Sequence, residues 1–335
     1  MKTLVIGATG LLGLALTEEL IHQGKDVRVT IRDISPKQSK DILRHLGPEM
    51  VTADICDIRS LENAFDSVDD VYLTAAIFKT WLTDINKFER VNVEGTRNVL
   101  EMCFKKGIRR IVYTSSHGII GLSQYPNYSD ETTPILKGQL DDNPYLLSKY
   151  KAEQVVSSYV KKGLDVVIVN PVGIIGINDF SNNPTNKYIK SVAEGNIPKY
   201  CVDAYTSLAG ASDIAFGHIL AMEKGRKGER YILGGDNITF EEYFTILQQC
   251  ASVNRKLIKI PLSIMLMLSY ITVWQAKVTS KAPILTPASV KFLMKKTRYS
   301  CKKAVNELGY KYRPIKSIIE ETYQWFKRNR AKLNM

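Results

Sequence analysis

The chain has 335 residues, of which 44% are hydrophobic and 24% charged, and its formal net charge at pH 7 is +12. This balance is ordinary for a globular protein of one or two domains and excludes a low-complexity chain. The five cysteines are scattered and form no C-x-x-C pair, which predicts neither a metal site nor a disulfide framework and favours a cytoplasmic location.

The first predicted elements are a strand over Thr3–Ile6 and a helix that ends near Gln23, joined by a glycine-rich turn. A secretory signal peptide is the alternative, but it needs an unbroken apolar core, and here glycines interrupt the apolar run. Strand, tight turn and helix place backbone N–H groups and the positive end of a helix dipole where a pyrophosphate can bind. We therefore predict a dinucleotide-binding turn made of Gly7, Thr9, Gly10, Leu11, Leu12 and Gly13.

The end of the second predicted strand, Asp26–Ile31, indicates which dinucleotide is bound. An acidic residue at this place contacts the ribose 2′-hydroxyl of NAD, whereas an arginine suits the 2′-phosphate of NADP. Arg32 follows the strand directly, and a guanidinium can hold a phosphate through two parallel hydrogen bonds. NADP(H) is therefore preferred, with Lys37 close behind Arg32, and NAD(H) bound through Asp33 is the alternative. The residues placed to border the adenine, after the third strand, are Asp54 and Ile55.

Strand-like and amphipathic segments then alternate, which is typical of βαβ units and a parallel sheet. The later strands are predicted at Met50–Thr52, Val71–Leu73, Ile111–Tyr113, Val166–Val169 and Tyr231–Leu233, and long helices at Lys87–Lys105 and Tyr145–Lys162. The predicted fold class is α/β, a Rossmann-type doubly wound parallel sheet with a smaller, mostly helical C-terminal region. We expect a cofactor domain over residues 1–173, joined by a returning strand near 230–234, and a mainly substrate-binding region over 174–335.

Tyr145 and Lys149 are four residues apart and therefore share one face of a helix. Three other Y-x-x-x-K pairs occur in the chain, so spacing alone proves little. Only this pair follows both a helix start signal, Asp141–Pro144, and a predicted strand that ends in hydroxyl side chains. A phenol has a pKa of about 10 and is a poor acid or base at neutral pH, but a neighbouring ammonium lowers that pKa. The pair therefore predicts general acid–base catalysis, with a serine hydroxyl stabilising the developing charge.

With these features the chain resembles the extended short-chain dehydrogenases/reductases over nearly its whole length. The dihydroflavonol 4-reductase-like subgroup is the most similar, and it also resembles 3β-hydroxysteroid dehydrogenases and nucleotide-sugar epimerases. The segments that carry the resemblance, besides the glycine turn and the Tyr145/Lys149 pair, are Asn92–Thr96, Asn170–Gly176, Gly228–Gly235 and Glu307–Tyr310.

The resemblance implies a role for each matching position. Ser116 would be the catalytic serine, with Ser115 the less favoured choice, Tyr145 the acid/base, and Lys149 the residue that holds the nicotinamide ribose. Asn92 is a cofactor candidate whose alternative is a helix-start residue. The other implied cofactor contacts are Ala75, Ala76, Thr114, Pro171, Gly173 and Ile174. At position 117 the family usually has a small or apolar residue, and this chain has His117 instead. The position lies on the expected substrate side.

The function expected from these residues is an NADPH-dependent carbonyl reductase with a small-molecule ketone or aldehyde as substrate. Aromatic residues in the predicted pocket loops favour a flat or apolar substrate, of which a steroid or lipid is one form. The predicted substrate contacts are Phe78, Trp81, Ser116, His117, Tyr125 and Tyr205. The alternatives are a nucleotide-sugar epimerase or dehydratase that retains NAD, and a binding protein that senses NADP(H).

The apolar stretch Ile264–Trp274 is too short for the ~20 residues that span a bilayer. We expect a core helix there, with a lipid-facing or substrate-entry helix as the alternative. The basic residues accompany no nucleic-acid motif, so we expect no nucleic-acid partner. The sequence allows both a peripheral contact with a membrane and a homodimer.

Overall fold

The computed structural model of the chain describes residues 1–79, 81–123, 126–279, 283 and 285–330. Its strands are β1 Lys2–Ile6, β2 Asp26–Ile31, β3 Glu49–Thr52, β4 Asp70–Leu73, β5 Arg110–Thr114, β6 Val166–Pro171, β7 Gly173–Ile175, β8 Tyr200–Cys201, β9 Tyr205–Gly210, β10 Arg230–Leu233, β11 Asp236–Thr239 and β12 Ile258–Lys259. Seven of them form one parallel sheet in the order β10-β6-β5-β4-β1-β2-β3. The predicted doubly wound α/β fold is confirmed.

The helices are α1 Leu11–His22, α2 Lys37–Leu46, α3 Ile58–Leu61, α4 Asn86–Phe88, α5 Gly95–Lys106, α6 Pro144–Lys161, α7 Lys187–Ala193, α8 Ala211–Lys224, α9 Phe240–Cys250, α10 Leu262–Thr279, α11 Pro287–Met294 and α12 Ile315–Arg328. A π-helical segment, Glu89–Glu94, joins α4 to α5 without a break. The start of α6 follows the sequence signal, because the Asn143 side chain accepts the Leu146 N–H at 3.1 Å and Pro144 occupies the first turn.

The central strands of the large sheet, such as β4 and β6, are buried on both faces because they are apolar at most positions. In β1, Leu4 and Ile6 belong to one core cluster, which also contains α5 and α6 residues. Val5 points to the other cluster, which contains α1 and α8 residues. Since all seven strands are parallel, their carboxyl ends lie along one edge, and this edge is where α/β sheets bind ligands.

The C-terminal region contains strands that the sequence pattern did not predict. Immediately after β6, β7 leaves the large sheet and pairs in parallel with β9, which pairs antiparallel with β11. Helices α7, α9 and α12 cover this small sheet and form a third core cluster around Leu208, Phe244 and Ile319. The short strands β8 and β12 pair with each other.

The expectation of a core helix at Ile264–Trp274 is wrong. The segment is helical, within α10, but Met267 is 60% exposed and Trp274 is 66% exposed. Helix α10 packs against α11, and the side chains of its outer side are largely exposed. None of the helices in the described ranges has both the length and the apolar character required to cross a membrane.

Candidate functional site

A cavity of about 1130 Å³ lies at the carboxyl ends of the large sheet. It is lined by these predicted residues: Gly7, Thr9, Gly10, Leu11, Leu12, Gly13, Arg32, Asp54, Ile55, Ala75, Ala76, Phe78, Trp81, Thr114, Ser116, His117, Tyr145, Lys149, Pro171, Gly173 and Ile174. Three other predicted residues, Lys37, Asn92 and Tyr205, do not line it. Tyr125 lies outside the described residues.

The glycine turn after β1 has the shape of a phosphate cradle. Gly7 has φ +98°, and a Cβ on Gly13 would lie 2.2 Å from the Gly7 carbonyl oxygen, so both positions require glycine. Gly10 has an ordinary φ of −83°, and a Cβ there would meet only the Gly7 oxygen, at 3.5 Å. Side chains would therefore fit at Gly10 but would fill the space above the first turn of α1. This open backbone surface fits a dinucleotide pyrophosphate.

The end of β2 supplies a positive charge to the same cavity. Arg32 Nη1 lies 3.6 Å from Asp54 Oδ2, and both side chains are about half exposed. The Ser35 hydroxyl accepts the Arg32 N–H at 3.1 Å and the Thr9 hydroxyl at 3.3 Å, which ties the turns after β1 and β2 together. Asp33 does not line the cavity, and its carbonyl oxygen accepts the Lys40 ammonium. Ser35, which sequence reasoning missed, does line the cavity.

Ser116, Tyr145 and Lys149 meet at the carboxyl end of β5. The Ser116 hydroxyl accepts the Gly118 N–H at 3.2 Å and lies close enough to the Tyr145 phenol to influence its pKa. The Tyr145 ring packs against Phe78, with ring centroids 5.0 Å apart. One helical turn later, Lys149 Nζ donates to the Thr114 carbonyl oxygen at 2.7 Å.

The electrostatics of this group differ from the sequence expectation. Burial raises the pKa of Tyr145 to about 12, an effect that the nearby Ser116 hydroxyl partly offsets. Burial also lowers the pKa of Lys149 to about 7, partly offset by the carboxylate of Glu153. The expected lowering of the phenol pKa by Lys149 is not found, because desolvation dominates and the ammonium points to Thr114. At neutral pH the phenol therefore carries its proton and can give it to a substrate oxygen.

A buried carboxylate behind Lys149 was missed in the sequence. Glu153 is 3% exposed, accepts the Ser115 hydroxyl at 2.6 Å, and forms an ion pair with Arg230 of β10. The Ser115 hydroxyl is thus committed to Glu153, whereas the Ser116 hydroxyl meets the phenol. The available signal was a carboxylate four residues after Lys149, on the same helix face.

Asn92 holds the loop that follows β4. Its Oδ1 accepts the Ile77 N–H at 2.8 Å, and its Nδ2 donates to the Ile77 carbonyl and to the Ser148 hydroxyl. Asn92 lies within the π-helical segment Glu89–Glu94, so it does not begin a helix. Tyr205 lies on β9 with its ring 5.5 Å from the Arg298 guanidinium, and Lys37 begins α2 with its side chain exposed.

His117 presents a hydrogen-bond acceptor on a side chain that lines the cavity. Its Nδ1 lies 2.9 Å from the Pro171 carbonyl oxygen, which can only accept, so Nδ1 carries the proton. Burial lowers the pKa of His117 to about 4, so the ring is neutral at physiological pH. The ring stands edge-on to Tyr299, with centroids 4.8 Å apart. Nε2 is therefore left as an unprotonated acceptor.

The half of the cavity away from the glycine turn has a large share of apolar side chains among polar, mostly uncharged ones. Its walls come from the segment after β4 and from α10 and α11, through Phe78, Trp81, Leu82, Ile85, Tyr270, Val273, Phe292 and Leu293. Among the described residues in this half, the one ammonium or guanidinium is that of Lys79, which donates to the Ser181 carbonyl oxygen at 3.2 Å. This half suits an apolar molecule better than a diphosphate.

Comparison with known proteins agrees with this geometry. Residues 3–234 match the sequence model of the NAD dependent epimerase/dehydratase family. A putative dihydroflavonol 4-reductase from Synechocystis is 32% identical over 96% of this chain and 93% of its own. A decarboxylating sterol-4-alpha-carboxylate 3-dehydrogenase from Saccharomyces cerevisiae is 30% identical over 97% of both chains. The crystal structure of gox2253 is 34% identical and superposes over 98% of both chains with a TM-score of 0.85.

Proposed function

Because the chain belongs to the NAD dependent epimerase/dehydratase family, as an oxidoreductase-type member of the extended short-chain dehydrogenases/reductases, we propose that it reduces a ketone or aldehyde on an apolar, sterol-like molecule with NADPH. The observation that carries this proposal is the protonated Tyr145 phenol, which lies between a dinucleotide cradle and an apolar compartment. Its five cysteines are free thiols, which supports a cytoplasmic location.

The cradle residues would hold the cofactor, with its pyrophosphate over Gly10 and α1 and its nicotinamide near Ala75, Ala76 and the Pro171–Ile174 backbone. When bound, NADPH supplies a hydride to the carbonyl carbon. The Tyr145 phenol gives its proton to the carbonyl oxygen, and the Ser116 hydroxyl donates a hydrogen bond that stabilises the negative charge developing there. The product is the alcohol, and the tyrosinate recovers a proton from solvent. Lys149 would hold the nicotinamide ribose.

The preference for NADPH rests on Arg32. Its guanidinium lines the cavity beside Ser35, whereas the competing ribose acceptor, Asp33, does not line it. We expect Arg32→Ala to raise the KM for NADPH by roughly 10- to 100-fold, the loss of one or two charge-assisted hydrogen bonds. The KM for NADH should stay nearly unchanged, because NADH has no 2′-phosphate.

Steady-state kinetics with both cofactors test this expectation, and Arg44→Ala is the matched control. Arg44 is an exposed arginine of α2 that pairs with Asp41 and does not line the cavity. Equal losses with NADPH and NADH, or a wild-type preference for NADH, would contradict the assignment.

The apolar substrate is supported by the aromatic and aliphatic walls of the second half of the cavity. The yeast relative is named for a sterol carboxylate, which agrees with such walls. The alternative, a nucleotide-sugar epimerase, needs cations for a diphosphate, and the described lining of this half offers only Lys79.

The decisive assay follows NADPH oxidation by the purified protein with a ketosteroid and with a small aromatic ketone, and in parallel it follows the conversion of UDP-glucose to its 4-epimer. We expect kcat/KM to be highest for the ketosteroid, because it buries the most apolar surface in the cavity. The proposal fails if NAD copurifies with the protein and UDP-glucose is epimerised while no ketone is reduced.

A further inference from the structure

The outer face of α10 is an exposed apolar stripe. It consists of Ile264, Met267, Leu268, Ile271 and Trp274, which recur at intervals of three and four residues and therefore share one side of the helix. Each of these side chains is between 41% and 66% exposed. A contiguous apolar surface of this kind marks an interaction site, whereas scattered exposed apolar residues do not.

The opposite side of the helix is apolar as well. Leu262 and Met265 pack against the third core cluster, and Val273 lines the cavity together with Phe292 of α11. Tyr270, one turn before Trp274, also lines the cavity and is 55% exposed, so it lies at the edge between the two sides. A helix that is apolar all round is normally buried on every side. Here α10 contributes to the lining of the cavity, while the side chains of its outer face are largely exposed.

Exposed cations lie next to α10 and α11 in the chain. No acidic or basic residue occurs from Ile260 to Ala276. The exposed side chains of Arg255 and Lys256, which precede α10, and of Lys295, which follows α11, have no carboxylate partner in the described part of the chain. An apolar stripe that contains a tryptophan and is flanked by unpaired cations complements an anionic lipid surface, where apolar side chains enter the acyl region and cations meet headgroups.

We propose that the outer face of α10 docks in the plane of an anionic lipid bilayer. The adjoining cavity then opens next to the bilayer, and an apolar substrate passes between them without crossing water. This second statement rests on the proposed function, whereas the docking itself does not.

The test is flotation of the full chain with vesicles of phosphatidylcholine alone or mixed with phosphatidylglycerol, in the absence of cofactor and substrate. We expect the wild type to float with the anionic vesicles and to be released as the salt concentration rises. The double variant Met267→Glu/Trp274→Glu should bind at least about tenfold more weakly, since two apolar anchors are replaced by carboxylates. The variant Arg255→Glu/Lys256→Glu should lose the preference for anionic vesicles.

Phe104→Glu is the matched control. Phe104 is also an exposed apolar residue, 49% exposed, but it lies on α5, which packs against the large sheet and not against α10. It should float like the wild type. Circular dichroism establishes that every variant is folded, and reduction of a water-soluble ketone should be the same for the wild type and the Met267→Glu/Trp274→Glu variant. A loss of ketone reduction in all proteins would count against the proposed function and leave the docking result standing.

Two outcomes overturn the docking proposal. The first is no flotation of the wild type with anionic vesicles, or equal flotation of all variants. The second is a wild-type dimer that Trp274→Glu dissociates while vesicles bind neither form, which would assign the outer face of α10 to a second copy of the chain.

Discussion

Tyr145→Phe is expected to lower kcat for carbonyl reduction by about a thousandfold, because the substitution removes the one proton donor placed at the substrate oxygen. The phenol is protonated in the free enzyme, since burial raises its pKa to about 12. Phenylalanine keeps the ring and its packing against Phe78 and Phe88. The dissociation constant for NADPH should therefore stay close to that of the wild type, and single-turnover kinetics should place the loss in the chemical step.

Tyr150→Phe is the control on the same helix. Tyr150 lies five residues further along α6 and does not line the cavity, so its variant should retain wild-type kcat. A Tyr145→Phe variant that keeps more than about a tenth of kcat would show that another group delivers the proton. In that case the neutral His117 could not replace it, because its Nε2 carries no proton and its Nδ1 proton is held by the Pro171 carbonyl oxygen.

Gly13→Ala is expected to lower the free energy of unfolding by about 3 kcal/mol and to abolish dinucleotide binding. The new Cβ would lie 2.2 Å from the Gly7 oxygen and 2.8 Å from the Ala8 Cα. Both are backbone atoms, so no rotamer change can relieve the contact, and α1 must move away from β1. The same movement would break the hydrogen bond from the Gly10 N–H to the Gly7 oxygen, 3.1 Å long, which closes the turn.

The variant Gly10→Ala separates the expected loss of stability from the expected loss of dinucleotide binding. Its backbone conformation is open to any residue, and its Cβ would make one ordinary contact, so the denaturation midpoint should be close to that of the wild type. NADPH affinity should still fall, because the methyl group enters the space above the first turn of α1. Normal NADPH binding by Gly10→Ala, measured by fluorescence titration, would place the pyrophosphate elsewhere. Normal stability of Gly13→Ala would refute the packing argument.

Much of the fold could be predicted from the sequence because the central strands of the large sheet are buried on both faces. Runs such as the one ending at Ile6 and the one ending at Val169 are continuously apolar, and each predicted strand appears in the sheet. The small sheet could not be predicted in this way. Its strand β11 reads Asp-Asn-Ile-Thr, is half-buried throughout, and is fixed by pairing with β9 rather than by its own composition.

Site residues could be predicted from the sequence where neighbouring residues form one short pattern. They could not be predicted where the contact joins residues that are far apart in the chain. The glycine turn and the Tyr145/Lys149 pair are short patterns with a strand or helix signal beside them. The partner of Glu153 is Arg230, which is 77 positions away, so no local pattern connects them. The exposure of Trp274 could not be predicted either. An apolar helix has the same sequence pattern whether it packs in the core or against another surface.

The ion pair between Glu153 and Arg230 also has a consequence for folding during synthesis, because its two residues are synthesised at different times. After β6 the polypeptide builds β7 to β9 with α7 and α8, and only then returns to the sheet edge with β10. Until that return, the Glu153 carboxylate lacks its arginine, and β6 is an open strand edge. A ribosome-bound fragment that ends before residue 230 therefore carries every catalytic side chain on an unfinished scaffold. The large sheet is therefore complete only when β10, its last strand in chain order, has been synthesised, whereas the glycine turn emerges first.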